Sequence, residues 1–289
     1  MRVWIYLGIA ACLGGMATVA PVAILSSRNA GVVKPANPED VRVADGVLVS
    51  DYFGISYRVP DGWTEGLPGP NPSQSGYYVL GTWLPKDEFD ATVLIVAQDM
   101  FFADDAASQA KSAVAEARRI MSSVDGMTID REPEPASVGG HAGYRLDFSG
   151  VGLFRSMLAI EIRCHVVTFN LTSHDPESLA SLVTSLDHLD TVAKSSDPAP
   201  ECVKDYAADN TLRRIDPDPI GARAETIPVR VIVGPDGNVR HVHVIHASAA
   251  QRRNVEDAVR QWKFTPYLKG DHPVEVETGM MFNLKPASM

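Results

Sequence analysis

The sequence predicts an α+β protein of two domains behind an N-terminal transmembrane helix. Three features carry that prediction. An uncharged run, Val3 to Leu25, opens the chain. Two patterned regions, 45–193 and 212–289, each mix strand-like alternation with helix-like spacing. A Pro/Ser-rich stretch, KSSDPAPE at 194–201, begins the linker between them, taken as 194–211. The 289 residues leave room for two cores, and an apolar content of 45% is ordinary for a globular chain, so disorder is not the default.

As a helix rising ~1.5 Å per residue, Val3 to Leu25 is long enough for a ~30 Å hydrocarbon core, with Arg2 as the only basic residue before it. A cleaved signal peptide is the rival reading. Thr18-Val19-Ala20 has the small-residue spacing for cleavage but is followed by Pro21. Ile9-Ala10-Ala11-Cys12 has the form of a lipoprotein box, although the apolar run continues past Cys12. Each alternative exports the rest of the chain, and the uncleaved anchor is the expectation. Residues 26–44 are polar, contain two prolines and read as a tether. Outside the apolar segment the only cysteines are Cys164 and Cys202. In an oxidising compartment they are candidates for a disulfide joining the first domain to the start of the second. The alternative is a buried Cys164 on a strand and an unrelated Cys202.

Charge is uneven. Residues 45–193 carry 9 basic and 21 acidic side chains, and residues 202–289 carry 12 and 11. An acidic first domain repels phosphates, which argues against a nucleic-acid partner.

In the first domain FGISYRVP (53–60) alternates, with Phe53, Ile55, Tyr57 and Val59 on one face, and Pro60-Asp61-Gly62 turns the chain. YYVLGTWL and ATVLIVAQ read as strands. Residues 104–124 read as a helix with an acidic first turn and Arg118 and Arg119 in the last. GYRLDFSG and SMLAIEIRCHVVTFNLTS form a long strand pair over 143–173. A helix capped by Asp175 with Pro176 at its first position closes the domain. Strands, helix, strands, helix imply an antiparallel sheet with packed helices. FGISYRVPDGW (53–63) resembles the start of a PsbP-like domain, and the element order over 45–193 extends the resemblance. It implies a PsbP-like sandwich and no particular activity.

In the second domain IPVRVIV (227–233) alternates with Val229, Val231 and Val233 on one face, and Pro235-Asp236-Gly237-Asn238 is a hairpin turn. NVRHVHVIHAS is the return strand, AQRRNVEDAVRQW a helix with Val255, Val259 and Trp262 on one face, and PVEVETGMMFNL the final strand. The order is β-β-α-β. With its motifs it resembles the C-terminal domain of TonB-family proteins over about 212–285. The residues that carry the resemblance are Val229–Val233 with Pro235-Asp236-Gly237, Val239, Val242 and Val244, Trp262-Lys263-Phe264-Thr265-Pro266, Gly270, Pro273-Val274 and Phe282-Asn283-Leu284. Ala222-Arg223-Ala224 matches a short segment ahead of the first strand. Trp262 and Phe264 are expected in the core at ~2–3 kcal/mol each, Pro266 to stop the helix, and Gly270 to allow a turn.

The resemblance implies an inner-membrane, single-pass envelope protein with its bulk in the periplasm of a double-membraned bacterium. Its partner would be a TonB-dependent outer-membrane receptor, or another envelope protein, captured as an added strand. The edge offered would be 274–284, with Val274, Val276, Thr278, Met280 and Phe282 on one face and a polar, solvent-facing side made by Glu275, Glu277 and Gly279. Two departures from the family pattern stand out. A globular domain replaces the long Pro-rich segment, and residues 3–25 hold no histidine for coupling to an ExbB/ExbD-type motor. These departures favour an alternative role, an envelope structural or assembly module, including a homodimer through the last strand. Nothing suggests an enzyme, a cofactor or a catalytic residue: no GxSxG, GxxxxGK[ST] or Cys-x-x-Cys is present. Asp87-Glu88 and Asp104-Asp105 read as a loop and a helix start. His241 and His243 share a strand face, with His246 and His272 nearby in sequence. They read as an outward polar face beside Arg240 rather than a metal site.

Overall fold

A computed structural model describes residues 37–286 apart from 67–68, 88–89, 192–198 and 222–223. The expected anchor, most of the tether and Ala222-Arg223 lie outside the described residues. Among the described residues no helix is long and apolar enough to cross a membrane. The described residues form one compact unit.

The unit opens with a small antiparallel sheet of β1 (Val41–Ala44), β2 (Val47–Ser50) and β3 (Ile55–Arg58). The tether expected over 26–44 is therefore too long, since its last four residues are paired strand. Phe53, Ile55, Tyr57 and Val59 are all buried, as their alternation predicts. Next come β4 (Trp63–Glu65), β5 (Tyr77–Pro85) and β6 (Ala91–Asp99). The helix α1 spans Ala110–Met121, beginning later and ending earlier than the predicted 104–124. Asp105–Ala107 is instead a 3-10 turn, and Gln109 is extended. The carboxylate of Glu161 accepts the Ala110 N–H at 2.9 Å, so an anion from a neighbouring strand caps the helix.

Three hairpin strands and a fourth follow: β7 (Met127–Val138), β8 (His141–Gly150), β9 (Leu153–Ile162) and β10 (His165–Ser173). They complete a seven-stranded antiparallel sheet in the order β4-β5-β6-β10-β9-β8-β7. The small sheet and α2 (Pro176–Ser185) cover one face, burying Leu48, Ile55 and Leu182 against Ile95 and Phe169, while α1 packs Val114 on Leu146 and Val166 on the other. Asp175 caps α2 by accepting the Ser178 N–H at 2.6 Å. Then β11 (Asp190–Thr191) joins the small sheet beside β3.

The expected linker 194–211 contains structure: β12 (Glu201–Cys202) and α3 (Tyr206–Asn210), with β13 (Thr211–Arg213) starting at its end. The second core is built on β14 (Glu225–Val233), β15 (Val239–Val244), α4 (Ala249–Val259), β16 (Lys263–Phe264), β17 (Tyr267–Lys269), β18 (His272–Val274) and β19 (Val276–Leu284). Its sheet runs β12-β19-β14-β15. Val229, Val231 and Val233 face α4, where Val255 and Val259 are fully buried. A capping box starts α4: Gln251 accepts the Ser248 N–H, and Ser248 accepts the Gln251 N–H.

The helix ends at Val259, so Trp262 lies beyond it and Pro266 does not stop it. Trp262 is nonetheless core, donating its indole N–H to Ile215 O at 2.8 Å beside Phe264 and Phe282. Gly237, at φ 75°, has no room for a Cβ because Phe264 O would lie 2.1 Å from it. That close approach ties the Asp236-Gly237 turn to the Trp262–Phe264 stretch, and Phe264 N–H donates to Gly237 O at 2.9 Å. Gly270 takes the left-handed conformation in the turn between β17 and β18.

Candidate functional site

β19 pairs with β14 along its whole length, Glu225 opposite Leu284 through Val233 opposite Val276. Among the described residues its other side is covered only at the two ends. Glu201 N–H donates to Glu275 O at 2.9 Å and Val203 N–H to Glu277 O at 3.0 Å, which makes β12 a two-residue parallel partner. At the far end Ile220 N–H donates to Lys285 O at 3.1 Å. Residue i of a strand points its N–H and C=O to the same side, so the odd-numbered residues of β19 face outward. Between the two covered ends the outward backbone groups of Gly279, Met281 and Asn283 have no strand partner among the described residues.

The side chains of β19 are placed differently from the sequence expectation. Val276, Thr278 and Phe282 are buried in the domain's own core, with Met280 packed against it. Val274 is half-buried at the end of β18. These residues cannot be a recognition face, because α4, α3 and the aromatic cluster already occupy that side. The opposite face is not solvent either: Glu277 is 2% exposed. Gly279 lies against Phe101, whose Cβ would come within 2.5 Å of a Cβ added there. The first domain covers this face as far as Gly279, and beyond it Met281 and Asn283 are exposed.

A buried charge cluster binds the two domains across that face. Arg230, on the central strand β14, donates Nη1 to Asp99 at the end of β6 and Nη2 to Glu277 Oε1 at 2.8 Å. Tyr52 Oη accepts from Arg230 Nη2 at 2.8 Å and donates to Glu277 Oε1 at 3.1 Å. Phe101 stacks over the guanidinium with its ring centre 5.1 Å away. Asp99 Oδ1 also accepts the Phe101 N–H at 2.8 Å. Arg163 Nε lies 3.9 Å from Glu277 Oε2, so two cations face two carboxylates and the cluster is neutral as a whole.

Burial pushes the Asp99 carboxyl above its ordinary range against the pull of Arg230. Burial, with the charge of Arg230, holds His165 well below the usual histidine value. Its ring is therefore neutral, and the 3.8 Å approach of Nε2 to Asp99 is not an ion pair. The neutral ring donates Nδ1–H to Arg163 O at 2.8 Å, leaving Nε2 to accept from Arg230 Nη1 at 3.3 Å.

His241 and His243 also face the first domain. His243 is buried, stacks on Tyr78, and its Nε2 lies 2.9 Å from Glu39 Oε1, while His241 Nε2 lies 2.9 Å from Asn37 Oδ1. The outward polar face expected for these histidines is thus an internal contact that straps the start of the compact unit to β15. Burial raises the Glu39 carboxyl, but the His243 hydrogen bond and charge outweigh it and hold Glu39 below its ordinary value. Among the described residues no group of three or more His, Cys, Asp or Glu could hold a metal ion.

A disulfide joins Cys164 to Cys202, with Cα atoms 5.5 Å apart. Cys164 is in the two-residue turn between β9 and β10, where both Arg163 (φ 48°) and Cys164 (φ 61°) are left-handed. Such turns favour Asn-Gly, and two non-glycine residues there must be held by their surroundings. Arg163 stacks on the Tyr52 ring at 4.2 Å and donates to Tyr52 O at 2.9 Å. The alternation predicts one strand through Arg163-Cys164, because no Gly, Asn or Pro marks the turn.

Residues 224–284 match the family model described as the Gram-negative bacterial TonB protein C-terminal. No curated protein sequence matches the chain. Similar solved structures include cyanobacterial PsbP (CyanoP) from Synechocystis sp. PCC 6803, at 15% identity and TM-score 0.36, covering 50% of this chain and 91% of that one. Another is LpqN, involved in cell envelope biogenesis of Mycobacterium tuberculosis, at 18% identity and TM-score 0.30, covering 46% and 79%. A Pseudomonas aeruginosa protein of unknown function is 20% identical at TM-score 0.27, covering 50% and 92%. The family match falls on the strands, helix and aromatic motif described above, and residues 224–284 are a TonB-type C-terminal domain.

Proposed function

We propose that this chain is a non-enzymatic envelope protein, anchored in the inner membrane with its bulk in the periplasm, that binds an extended segment of a partner protein by strand addition. The observation that carries the reading is the open stretch of β19. Gly279, Met281 and Asn283 present backbone donors and acceptors on a strand fixed on its other side by nine paired residues of β14. Selectivity then comes from the partner's side chains against the half-exposed Met281 and the Phe101–Phe102 surface, since the alternate side chains of β19 are core. The favoured partner is a segment of an outer-membrane receptor, with a supporting role in energy-coupled uptake.

A second reading is an envelope assembly module without energy transduction. The observation favouring it is the buried cluster around Arg230, which fixes the TonB-type sheet to the chain's own first domain. One experiment separates the two. The full chain in detergent is titrated with extended N-terminal peptides from outer-membrane receptors of the same cell, and amide exchange is read over 275–284. Protection at Gly279, Met281 and Asn283 supports receptor binding. No protection at millimolar peptide, together with a dimer in sedimentation that protects the same amides, supports assembly through this edge.

A further inference from the structure

We propose that a cleft beside the open edge, walled by Tyr206 and Tyr267 and rimmed by Asp205 and Asp209, takes a lysine or arginine side chain of the strand that pairs with β19. The proposal rests on the strand-addition reading and names the residue type the partner carries at one end.

The cleft lies between α3 and β17 and has a volume of about 430 Å³, within the range of ligand clefts. It is continuous with the edge. Val203 lines it, and the Val203 N–H is the donor to Glu277 O. The next outward residue of β19 is Gly279, the first of the open stretch. A strand added along Gly279–Asn283 therefore meets Val203 at one end. Beyond that point β12 already holds the edge, so the added chain turns off the sheet there. The chain after Val203 runs through Lys204 and Asp205 into α3, which packs beside β19. The departing residue of the partner thus meets the cleft.

Its walls are tied to each other. Thr265 N–H donates to Asn210 O at 2.9 Å, and the Tyr206 hydroxyl donates to Thr265 O. Tyr206 and Tyr267 meet edge to face, with ring centres 5.6 Å apart. The Tyr206 hydroxyl is engaged, so this aromatic pair offers an apolar wall, and Leu268 extends it at 56% exposed. The rim is charged. Asp205 starts α3 without making a cap hydrogen bond, and neither Asp205 nor Asp209 has an ion-pair partner among the described residues. Lys204 also lines the cleft, so two carboxylates stand against one ammonium and the rim is net negative. An apolar wall under a negative rim fits a side chain with a methylene stem and a cationic head. The stem lies on Tyr267 and Leu268, and the head reaches the carboxylates. A carboxylate at the same place in the partner is repelled.

The test titrates the full chain in detergent with extended N-terminal receptor peptides made as twins. One twin carries lysine just beyond the pairing stretch, at each end in turn, and the other carries norleucine there. Amide exchange at Gly279, Met281 and Asn283 reads pairing, and the titration reads affinity. The expected result is binding about fivefold tighter for the lysine twin at one end only, a preference that falls with added salt. Asp205→Asn together with Asp209→Asn should abolish the preference with an unchanged near-ultraviolet circular dichroism spectrum. Lys204→Gln, a second change at an exposed residue, should raise the preference about twofold. Protected edge amides with equal affinity for the twins overturn the cleft and leave strand addition standing. A lysine preference that the aspartate changes remove, without protection of the edge amides, supports the cleft and refutes strand addition. A preference that survives the aspartate changes overturns the cleft, and no binding by any peptide overturns both.

Discussion

Replacing Arg230 with alanine tests the cluster that positions the edge. The change removes the cation between Asp99 and Glu277, whose side chains are 0% and 3% exposed. Removing one partner of a buried ion pair costs about 3–5 kcal/mol, chiefly because the other charge is left without compensation. Two carboxylates are stranded here, but the loss is not doubled. Glu277 keeps the Tyr52 hydroxyl and the approach of Arg163, so Asp99 carries most of the penalty. The expected loss is thus about 3–5 kcal/mol, a large part of the ~5–15 kcal/mol typical of a folded domain. Urea unfolding followed by tryptophan fluorescence reads it. The same cluster made uncharged, with Arg230→Met, Asp99→Asn and Glu277→Gln together, is expected to lose less than the single change, since no ion is then buried. The pH dependence gives a second check. In Arg230→Ala the Asp99 carboxyl, already raised by burial, loses the pull of its cation and rises further. Its stability contribution is present in acid and lost as pH rises through the folded-state value. A loss below about 1 kcal/mol for Arg230→Ala, or a triple variant as unstable as the single one, refutes the assignment of Arg230 as the compensating charge.

Three further outcomes follow from the same contacts. His165 titrates well below its ordinary value of 6.5 in the folded chain, so its contribution is full above pH 6.5 and is lost as pH falls from there toward the folded value. Thermal unfolding should show a stability slope approaching ~1.4 kcal/mol per pH unit in that window, and His165→Asn should flatten it. Gly279→Val drives a side chain into Phe101 and should cost ~1–3 kcal/mol by calorimetry, with faster amide exchange along β19. Trp262→Ala leaves a hole beside Phe264 and Phe282 and should cost ~3–5 kcal/mol in urea unfolding, with no change in the Cys164–Cys202 bond as read by thiol titration.

What the sequence showed was set by periodicity. Phe53, Ile55, Tyr57 and Val59, and likewise Val229, Val231 and Val233, are apolar on one face, and that face is buried in both cases. Pro235-Asp236-Gly237-Asn238 carries its turn in its own chemistry, with Gly237 left-handed. The other faces of the same strands were illegible for a physical reason. A charged residue buried by pairing looks like a charged residue in water until its partner is known, and Arg230 meets a carboxylate 131 residues away in sequence. Glu277 and His243 look solvent-facing in the sequence for the same reason, and both are buried. Strand β7 escaped notice for a related reason. It is an exposed edge with Pro133 and Pro135 and many charges, features that protect an edge from aggregation and hide it as a strand.

The arrangement also bears on how the edge works. A sheet with a helix on one face and nothing on the other has a mobile, exposed second face. Here the first domain fills it, through Gly279 against Phe101 and Arg230 among Asp99, Tyr52 and Glu277. β19 is therefore held by β14 alongside and the aromatic core on one face, and as far as Gly279 by the first domain on the other. Pairing with β14 fixes the backbone of Gly279, Met281 and Asn283, so under the proposed strand addition little of the ordering cost would fall on this side. Under that proposal, the same filling would limit the partner. A strand laid along Gly279–Asn283 has one face directed at the Phe101–Phe102 surface of the first domain, so bulk on that face clashes while small or apolar residues fit. Under the proposed strand addition, partner choice would be shared between β19 and the domain in front of it, which would give the first domain a part in recognition.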